Sequence, residues 1–282
     1  MILENIIQQA SQFLKKQNIR SHQLDAEIIL SDIMGVKKEF LIINSDLNIS
    51  KKTSQKYFKA IGRRIKNEPV AYITGKKEFW SQIFKVDYST LIPRPETELM
   101  IYKILSYFRN KKINILDMGT GSGCILLSIL KELNLSRGTG IDVSKKAIKA
   151  ARFNAKKLNL FYRAKFKICD ISKFSFGKYD LIVSNPPYIP TNKIKRLSRD
   201  IVSYEPIVAL NGGVEGLDLI KKVIYKSSKL LKKNGLLALE IGNKQYFKVD
   251  KLLNHQGFRV VSKVYDYNRN VRCIMSTKVG FF

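Results

Sequence analysis

Ile113-Asn-Ile-Leu-Asp117-Met-Gly119-Thr120-Gly121-Ser122-Gly123-Cys124 reads as a strand, a glycine-rich turn and the start of a helix. The apolar run up to Met118 suits a buried strand, and Cys124 to Leu133 is an apolar helical stretch. Glycine lets the backbone turn sharply and approach a ligand closely, and the free N–H groups of the following helix start face an anionic group. The spacing is G-x-G-x-G, which differs from the G-x-G-x-x-G of nicotinamide dinucleotide sites. A strand–turn–helix of this kind opens a doubly wound α/β sheet.

The next apolar run, Gly138–Val143, carries Asp142 near its end, where a carboxylate can accept both hydroxyls of a ribose. A glycine loop (Gly119, Thr120, Gly121, Ser122 and Gly123) with an acid on the following strand is a grip for a nucleoside cofactor. Its carboxylate-binding form suits the methionine end of S-adenosyl-L-methionine. Asp117 is placed to accept that cofactor's ammonium, directly or through water. At the end of the third strand, Asp170 can accept an adenine amine while Ile171 packs on the ring; Asp170 reads equally as a solvated strand-end acid.

Asp180-Leu-Ile-Val-Ser-Asn185-Pro186-Pro187-Tyr188 puts a second motif at the carboxyl end of the fourth strand, beside the point where strand order reverses. A planar amide or exocyclic amine nitrogen is a poor nucleophile because its lone pair is delocalised. Two acceptors that hold its NH₂ can aim that lone pair without a strong base. The Asn185 side-chain oxygen and the Pro186 carbonyl are such acceptors, the two prolines hold the carbonyl in place, and Tyr188 can stack on the planar group. The motif therefore predicts methylation of nitrogen, with Asn185, Pro186 and Tyr188 at the reacting centre and Pro187 beside them. A glutamine and a nucleobase acceptor both fit it.

Beyond Ile113, strands at 113–118, 138–143, 165–169, 181–184 and 236–241 alternate with helices at 124–133, 145–157 and 217–231. The ending, 259–265 then 272–277, is two strands without a helix, an antiparallel edge. The fold class expected is α/β, a Rossmann-like AdoMet-dependent methyltransferase sheet with a small N-terminal helical bundle. Residues 1–70 read as that bundle: Ile2, Leu3, Ile6, Ile7, Ala10, Phe13 and Leu14 recur at helical spacing. Ser21 is placed to cap a helix carrying Leu24, Ile28, Ile29 and Ile33 with Gly35 beyond its end, and Ser50 a helix carrying Tyr57, Ile61 and Ile65. Phe40–Ile43 is a short apolar piece. Residues 71–95 read as a β-hairpin linker ending in the stiff Pro93-Arg94-Pro95, and 96–282 as the AdoMet-dependent domain, whose first helix runs to Phe108. Residues 189–215 read as a long loop covering the acceptor.

Composition narrows little further. No stretch approaches the roughly 20 apolar residues of a membrane span, and the N-terminal amphipathic helix, with Glu4 and no basic leader, predicts a cytoplasmic protein. Three scattered cysteines and two histidines exclude a disulfide framework and a His-rich metal centre, so no metal is expected. Lys plus Arg is 51 against 23 acids, but 38 of the 51 are Lys, spread as singles and pairs without a basic block or an aromatic-interleaved stripe. The charge leaves room for nucleic-acid contact without requiring it.

The chain resembles the release-factor glutamine methyltransferases, the HemK/PrmC family. The likeness runs through Leu91-Ile-Pro-Arg94-Pro-Glu96-Thr-Glu98, Gly119–Cys124, Asn185-Pro-Pro-Tyr188-Ile, Glu205–Gly213, Gly216-Leu-Asp218 and Glu240-Ile-Gly242 with Gln245, and covers nearly the whole chain. It implies transfer of a methyl group to the side-chain amide nitrogen of the Gly-Gly-Gln glutamine in class 1 peptide chain release factors, with the N-terminal bundle recognising that protein. Nucleic-acid adenine enzymes share Asn-Pro-Pro-Tyr but not usually the Pro93–Glu96 segment, where the resemblance has Arg94 and Glu96 frame the active site or serve as cap and linker. The competing expectation is an RNA or DNA adenine N6-type methyltransferase. Ile171 stands where some members carry an aromatic.

Overall fold

The computed structural model describes residues 1–279, and by internal contacts the chain forms two compact units. Met1–Lys76 together with Ser198–Tyr204 make the first; Lys77–Leu197 and Glu205 onward make the second.

The first unit is helical. It comprises α1 (Leu3–Lys16), α2 (His22–Met34), α3 (Lys38–Ile43), α4 (Lys51–Ile65) and α5 (Val70–Thr74). Leu3, Ile6, Ile7, Ala10 and Leu14 of α1 are buried at the expected spacing, against Ile29 and Leu30 of α2 and Tyr57 and Ile61 of α4, whereas Ile2 and Phe13, expected on the same face, are exposed. Ser50 caps α4 through Thr53 N–H, and Gly35 ends α2 in the left-handed conformation. Three other expectations change here. Ser21 stands at the α2 N-cap position, but its hydroxyl donates to Asp25 instead of capping. The buried face of α2 runs through Ala26, Ile29 and Leu30, and Leu24 is exposed. The piece at Phe40–Ile43 is helix α3, which leaves Ile42 and Ile43 open. Asp25 is buried with the Arg64 guanidinium 2.7 Å away, a pair that supplies the partner a buried acid needs.

Residues 71–74, expected as the start of a β region, belong to α5 instead, with Pro69 at its N-cap and Gly75 ending it in the left-handed conformation. The hairpin follows as β1 (Lys76–Phe79) and β2 (Gln82–Lys85). It is bound into the second unit: Phe79 and Phe84 enter that unit's core, and the buried Asn154 carboxamide holds both backbone groups of Lys85 and the Ser122 carbonyl.

The second unit continues with α6 (Pro95–Phe108), β3 (Asn114–Met118), α7 (Cys124–Glu132), β4 (Arg137–Asp142), α8 (Lys145–Lys157), β5 (Ala164–Ile168) and β6 (Tyr179–Ser184). The segment 189–215, read as a loop, contains α9 (Thr191–Ile194), α10 (Arg199–Tyr204) and a 3₁₀ turn at Ile207–Ala209. Within it, α10 belongs to the first unit, where Tyr204 Oη donates to the Lys66 carbonyl. Then come α11 (Asp218–Leu230), β7 (Leu231–Glu240), α12 (Tyr246–His255), β8 (Phe258–Tyr265) and β9 (Val271–Lys278). The helix α12 had no counterpart in the sequence reading, and β7 starts at Leu231, ahead of the expected 236.

These strands form one sheet in the order β5-β4-β3-β6-β7-β9-β8. The pairs from β5 to β7 are parallel, and β9 runs antiparallel to both β7 and β8. Successive side chains alternate faces, so Ile115, Leu181 and Leu236 join one core with α6 and α7, while Leu116, Ile182 and Leu237 join the other with α11 and α12. The chain builds outward from β3 in one direction and from β6 in the other. A crevice therefore opens at the carboxyl ends of these two strands. Among the described residues no helix is long and apolar enough to cross a membrane.

Candidate active site

The glycine loop leaves β3 at that crevice. Gly119, Gly121 and Gly123 all have positive φ, at 77°, 54° and 80°. A side chain at Gly119 or Gly121 would meet no protein atom within 4 Å, so the bare backbone of the turn faces open space. Gly123 is different: its turn packs against Ala151, Leu127 and Phe166, and its role is helix packing. Asp142, at the end of β4, ties the loop down. Its Oδ2 accepts from Gly121 N–H and its Oδ1 from Ser144 N–H, each at 2.9 Å. Burial raises the Asp142 pKa, and those backbone donors oppose the shift.

A cleft of about 550 Å³ lies over this loop. Of the residues marked by sequence, Arg94, Gly119, Thr120, Gly121, Ser122, Asp142, Asp170, Ile171, Asn185 and Pro187 line it. Asp117, Gly123, Pro186, Tyr188 and Glu96 do not. Asp117 is fully buried beneath Thr120, whose hydroxyl donates to its Oδ2 at 2.7 Å, while Oδ1 has no hydrogen-bond partner. Burial pushes this carboxyl up to about 7. Asp170 caps the short turn at Ile171–Lys173 by accepting from Ser172 N–H and hydroxyl, which holds its pKa below the usual value. Glu96 is exposed in the first turn of α6, where a negative charge favours the helix dipole. Arg94 pairs with the buried Glu205 at 2.5 Å, and Glu205 also accepts from Ile92 N–H.

Below Asn185 runs a polar chain that the sequence did not disclose. The Asn185 amide Nδ2 donates to Thr97 Oγ1 at 3.4 Å, Thr97 donates to Glu240 Oε2 at 2.6 Å, and Tyr188 Oη donates to Glu240 Oε1 at 3.4 Å. Glu240 is buried at the end of β7, and burial pushes it up to about 7. With the Thr97 proton directed at a carboxylate, its lone pair takes the Asn185 NH₂. The amide oxygen of Asn185 then remains free at the cleft. Burial, then the Glu240 charge, raises the Tyr188 pKa, so this hydroxyl keeps its proton.

The backbone after Asn185 is stapled from several sides. Gln245 donates to the carbonyls of Tyr188 and Gly216 at 3.1 Å and accepts from Gly242 N–H. Ile189 bridges to Asn211 in parallel fashion. Gly216 has φ of 73°, and a Cβ there would lie 2.2 Å from the Tyr188 carbonyl. Asn185 and its two prolines therefore sit in a fixed frame. Ile207 and Val208, both more than half exposed, line the same cleft as an apolar wall.

The cleft suits S-adenosylmethionine on three structural grounds. The glycine turn presents bare backbone to open space, Asp142 stands at the adjacent strand end, and Asp117 holds an unpartnered buried acceptor beneath the loop.

The sequence matches the family described as PrmC N-terminal domain over residues 5–75, and the family described as methyltransferase domain over residues 109–275. Over 99% of its length it is 35% identical to the release factor glutamine methyltransferase of Clostridium acetobutylicum, covering 100% of that protein. Over 94% it is 39% identical to that of Buchnera aphidicola, covering 95% of it. Among solved structures, a methyltransferase from Pyrococcus furiosus shares the fold, with a TM-score of 0.53 at 19% identity over 69% of this chain and 88% of that one. The chain thus belongs to the release factor glutamine methyltransferase family and is an S-adenosylmethionine-dependent methyltransferase.

Proposed function

We propose that this enzyme methylates the side-chain amide nitrogen of the glutamine in the Gly-Gly-Gln motif of class 1 peptide chain release factors. The Asn185 carboxamide, held by Thr97 and Glu240 so that its oxygen is free at the cleft, supports methylation of a planar nitrogen. The likeness to release factor glutamine methyltransferases over nearly the whole chain supports glutamine over a nucleobase as the acceptor. A primary amide needs two acceptors for its two N–H bonds. Asn185 Oδ1 supplies one at the cleft, and the Pro186 carbonyl would supply the other. Neither Pro186 nor Tyr188 lines the cleft, and Tyr188 acts through Glu240, the partner it shares with the Thr97 that holds Asn185. Hydrogen bonding to both N–H groups orients the nitrogen lone pair and disperses the positive charge that grows on the amide during transfer.

The bound cofactor supplies a methyl group on a sulfonium. Gly119, Thr120, Gly121 and Ser122 would hold its methionine end, Asp142 its ribose, and Asp170 and Ile171 its adenine. Asp117 would act on the ammonium from beneath the loop, through Thr120 or a water, because it does not line the cleft itself. Arg94 frames the entrance through its pair with Glu205. Ile207 and Val208 receive the peptide flanking the glutamine, since exposed apolar side chains on a cleft wall favour an apolar partner. Residues 1–70 recognise the body of the release factor, 71–95 connect, and 96–282 catalyse. The cytoplasm is the compartment in which such a substrate is made and used.

Incubation with methyl-labelled S-adenosylmethionine and either a release factor or RNA tests the reading. Label in the release factor, abolished when its Gly-Gly-Gln glutamine is replaced by Ala, is the expected result. Label in RNA and none in the release factor overturns it in favour of a nucleobase acceptor.

A further inference from the structure

The amino ends of the parallel strands form a second cleft, of about 310 Å³, at the opposite edge of the sheet from the active site. It is lined by Arg137 at the start of β4, Arg163 and Lys165 at the start of β5, Lys178 ahead of β6, and Tyr162. No acid lines it. The nearest acid in sequence to its floor, Asp180, is already paired with Lys232 at 2.9 Å and accepts from Asn114 N–H.

The cations are not equivalent. The Arg163 guanidinium is fixed on the carbonyls of Leu130, Leu133 and Ser136, closing the end of α7, and Lys178 donates to the Lys229 carbonyl. Arg137 and Lys165 are exposed and, among the described residues, have no acidic partner within 4 Å. They are therefore available charges, held at neighbouring strand starts that pair Gly138 with Ala164. Beside them Tyr162 is 79% exposed with its ring against Phe161, centroids 3.8 Å apart. Phe176, just before the lining residue Gly177, is also exposed and carries Lys167 over its ring at 5.4 Å.

Free cations alone describe any basic surface. Free cations set beside protruding aromatic faces describe a track for single-stranded nucleic acid, in which phosphates meet the charges and bases stack on the rings. An acidic protein would use the charges and leave the rings unused. The Asn114 carboxamide in the same cleft offers both a donor and an acceptor, the pair a 2′-hydroxyl can use. The chain's +28 net charge raises the local concentration of such a polyanion. We propose that this cleft binds single-stranded RNA, with phosphates on Arg137 and Lys165 and a base stacked on Tyr162. It lies apart from the methyl-transfer site and takes RNA as a bound partner and not as methyl acceptor.

Fluorescence anisotropy of a labelled dodecauridylate RNA titrated with the full chain, at several salt concentrations, tests this. R137A/K165A is expected to weaken binding tenfold or more and to flatten the slope of log K against log salt by about 1.4, two phosphate contacts on a single strand. Tyr162→Ala should weaken it about fivefold or more with the slope unchanged. Lys15→Ala/Lys16→Ala, which removes the same charge from α1, should change it less than threefold. Release-factor methylation by R137A/K165A should stay within twofold of the parent. Equal losses in the two double variants would show diffuse attraction to net charge and sink the proposal. Deoxyuridylate bound as tightly as the RNA would overturn the choice of RNA, and no binding at all would overturn the site.

Discussion

The two ends of the central sheet are built from the same strands, yet their chemistry is opposed. At the carboxyl ends, acids are buried: Asp117 and Glu240 lie deep with their pKa values raised, and Asp142 is enclosed by backbone donors. At the amino ends, cations stand in the open, and no acid lines the cleft. Burial explains the difference in precision. A buried charge must be satisfied by specific partners, so its neighbours are fixed in one arrangement. An exposed charge is hydrated, selects a partner by sign, and tolerates motion. The carboxyl end is fit for aligning one nitrogen with one methyl group, and the amino end for holding a polymer.

The sharpest way to break this contrast is at Asn185. Asn185→Ala removes the free acceptor while leaving the glycine loop untouched, and should lower turnover by about 10²–10³-fold with cofactor affinity nearly unchanged. Single-turnover methyl transfer with a release factor, alongside calorimetric titration of the cofactor, measures both. Near-normal turnover would remove Asn185 from the mechanism. Next in size is Asp142→Ala, which frees the Gly121 and Ser144 N–H groups as well as the cofactor acceptor. Each lost charge-assisted bond is worth about 1.5–3 kcal/mol, so cofactor affinity should fall roughly ten- to a hundredfold in the same titration. An unchanged affinity would show that the loop holds its shape, and the cofactor, without Asp142.

The chain beneath Asn185 predicts a smaller effect that is specific to positioning. Thr97→Val keeps the shape and deletes the hydroxyl, leaving Glu240 and the Asn185 amide without their shared partner. Such an orphaned group costs about 1–3 kcal/mol. Turnover should drop about tenfold at unchanged KM, and Thr97→Ser should restore it. A Thr97→Ser variant as slow as Thr97→Val would mean that the methyl group, and not the hydroxyl, matters at this site.

Local pattern explains what was legible in the sequence. The β3–loop–α7 unit, Asp142 at the end of β4 and α8 at Lys145–Lys157 are set by alternation and helical spacing within a few residues. Thr97 and Glu240 are 143 residues apart, and nothing near either marks them as a pair until α6 and β7 lie side by side. Helix α12 buries only Val249 and Leu253, too sparse a stripe to announce a helix. The basic cleft was missed for a related reason. Phe161-Tyr-Arg163-Ala-Lys165-Phe-Lys167 does interleave cations with aromatics, a local signal that counting charges over the whole chain hides. Arg137 and Lys178, by contrast, are isolated residues, and a parallel sheet gathers the starts of its strands at one edge. Exposed charge was thus read as dispersed where the fold concentrates it.

The smallest expected effect separates the buried acid's two duties by pH. Glu240 is raised to about 7 by burial, against about 4 for an exposed glutamate. Between those values the folded state keeps a proton that the unfolded state has lost, so its contribution to stability falls as pH rises from about 4 to 7. Turnover runs the other way. Protonated Glu240 can donate to Thr97, whose own proton is then free to point at Asn185, and in part of the molecules the carboxamide flips to accept it, which takes its oxygen away from the cleft. Turnover in single-turnover assays should drop roughly threefold from pH 8 to pH 6, and Glu240→Gln should abolish that dependence. The stability slope should only diminish in Glu240→Gln, because Asp117, also raised to about 7, still contributes its share. A Glu240→Gln profile as steep as the parent's would assign the limb to another group and leave Glu240 with a purely structural part.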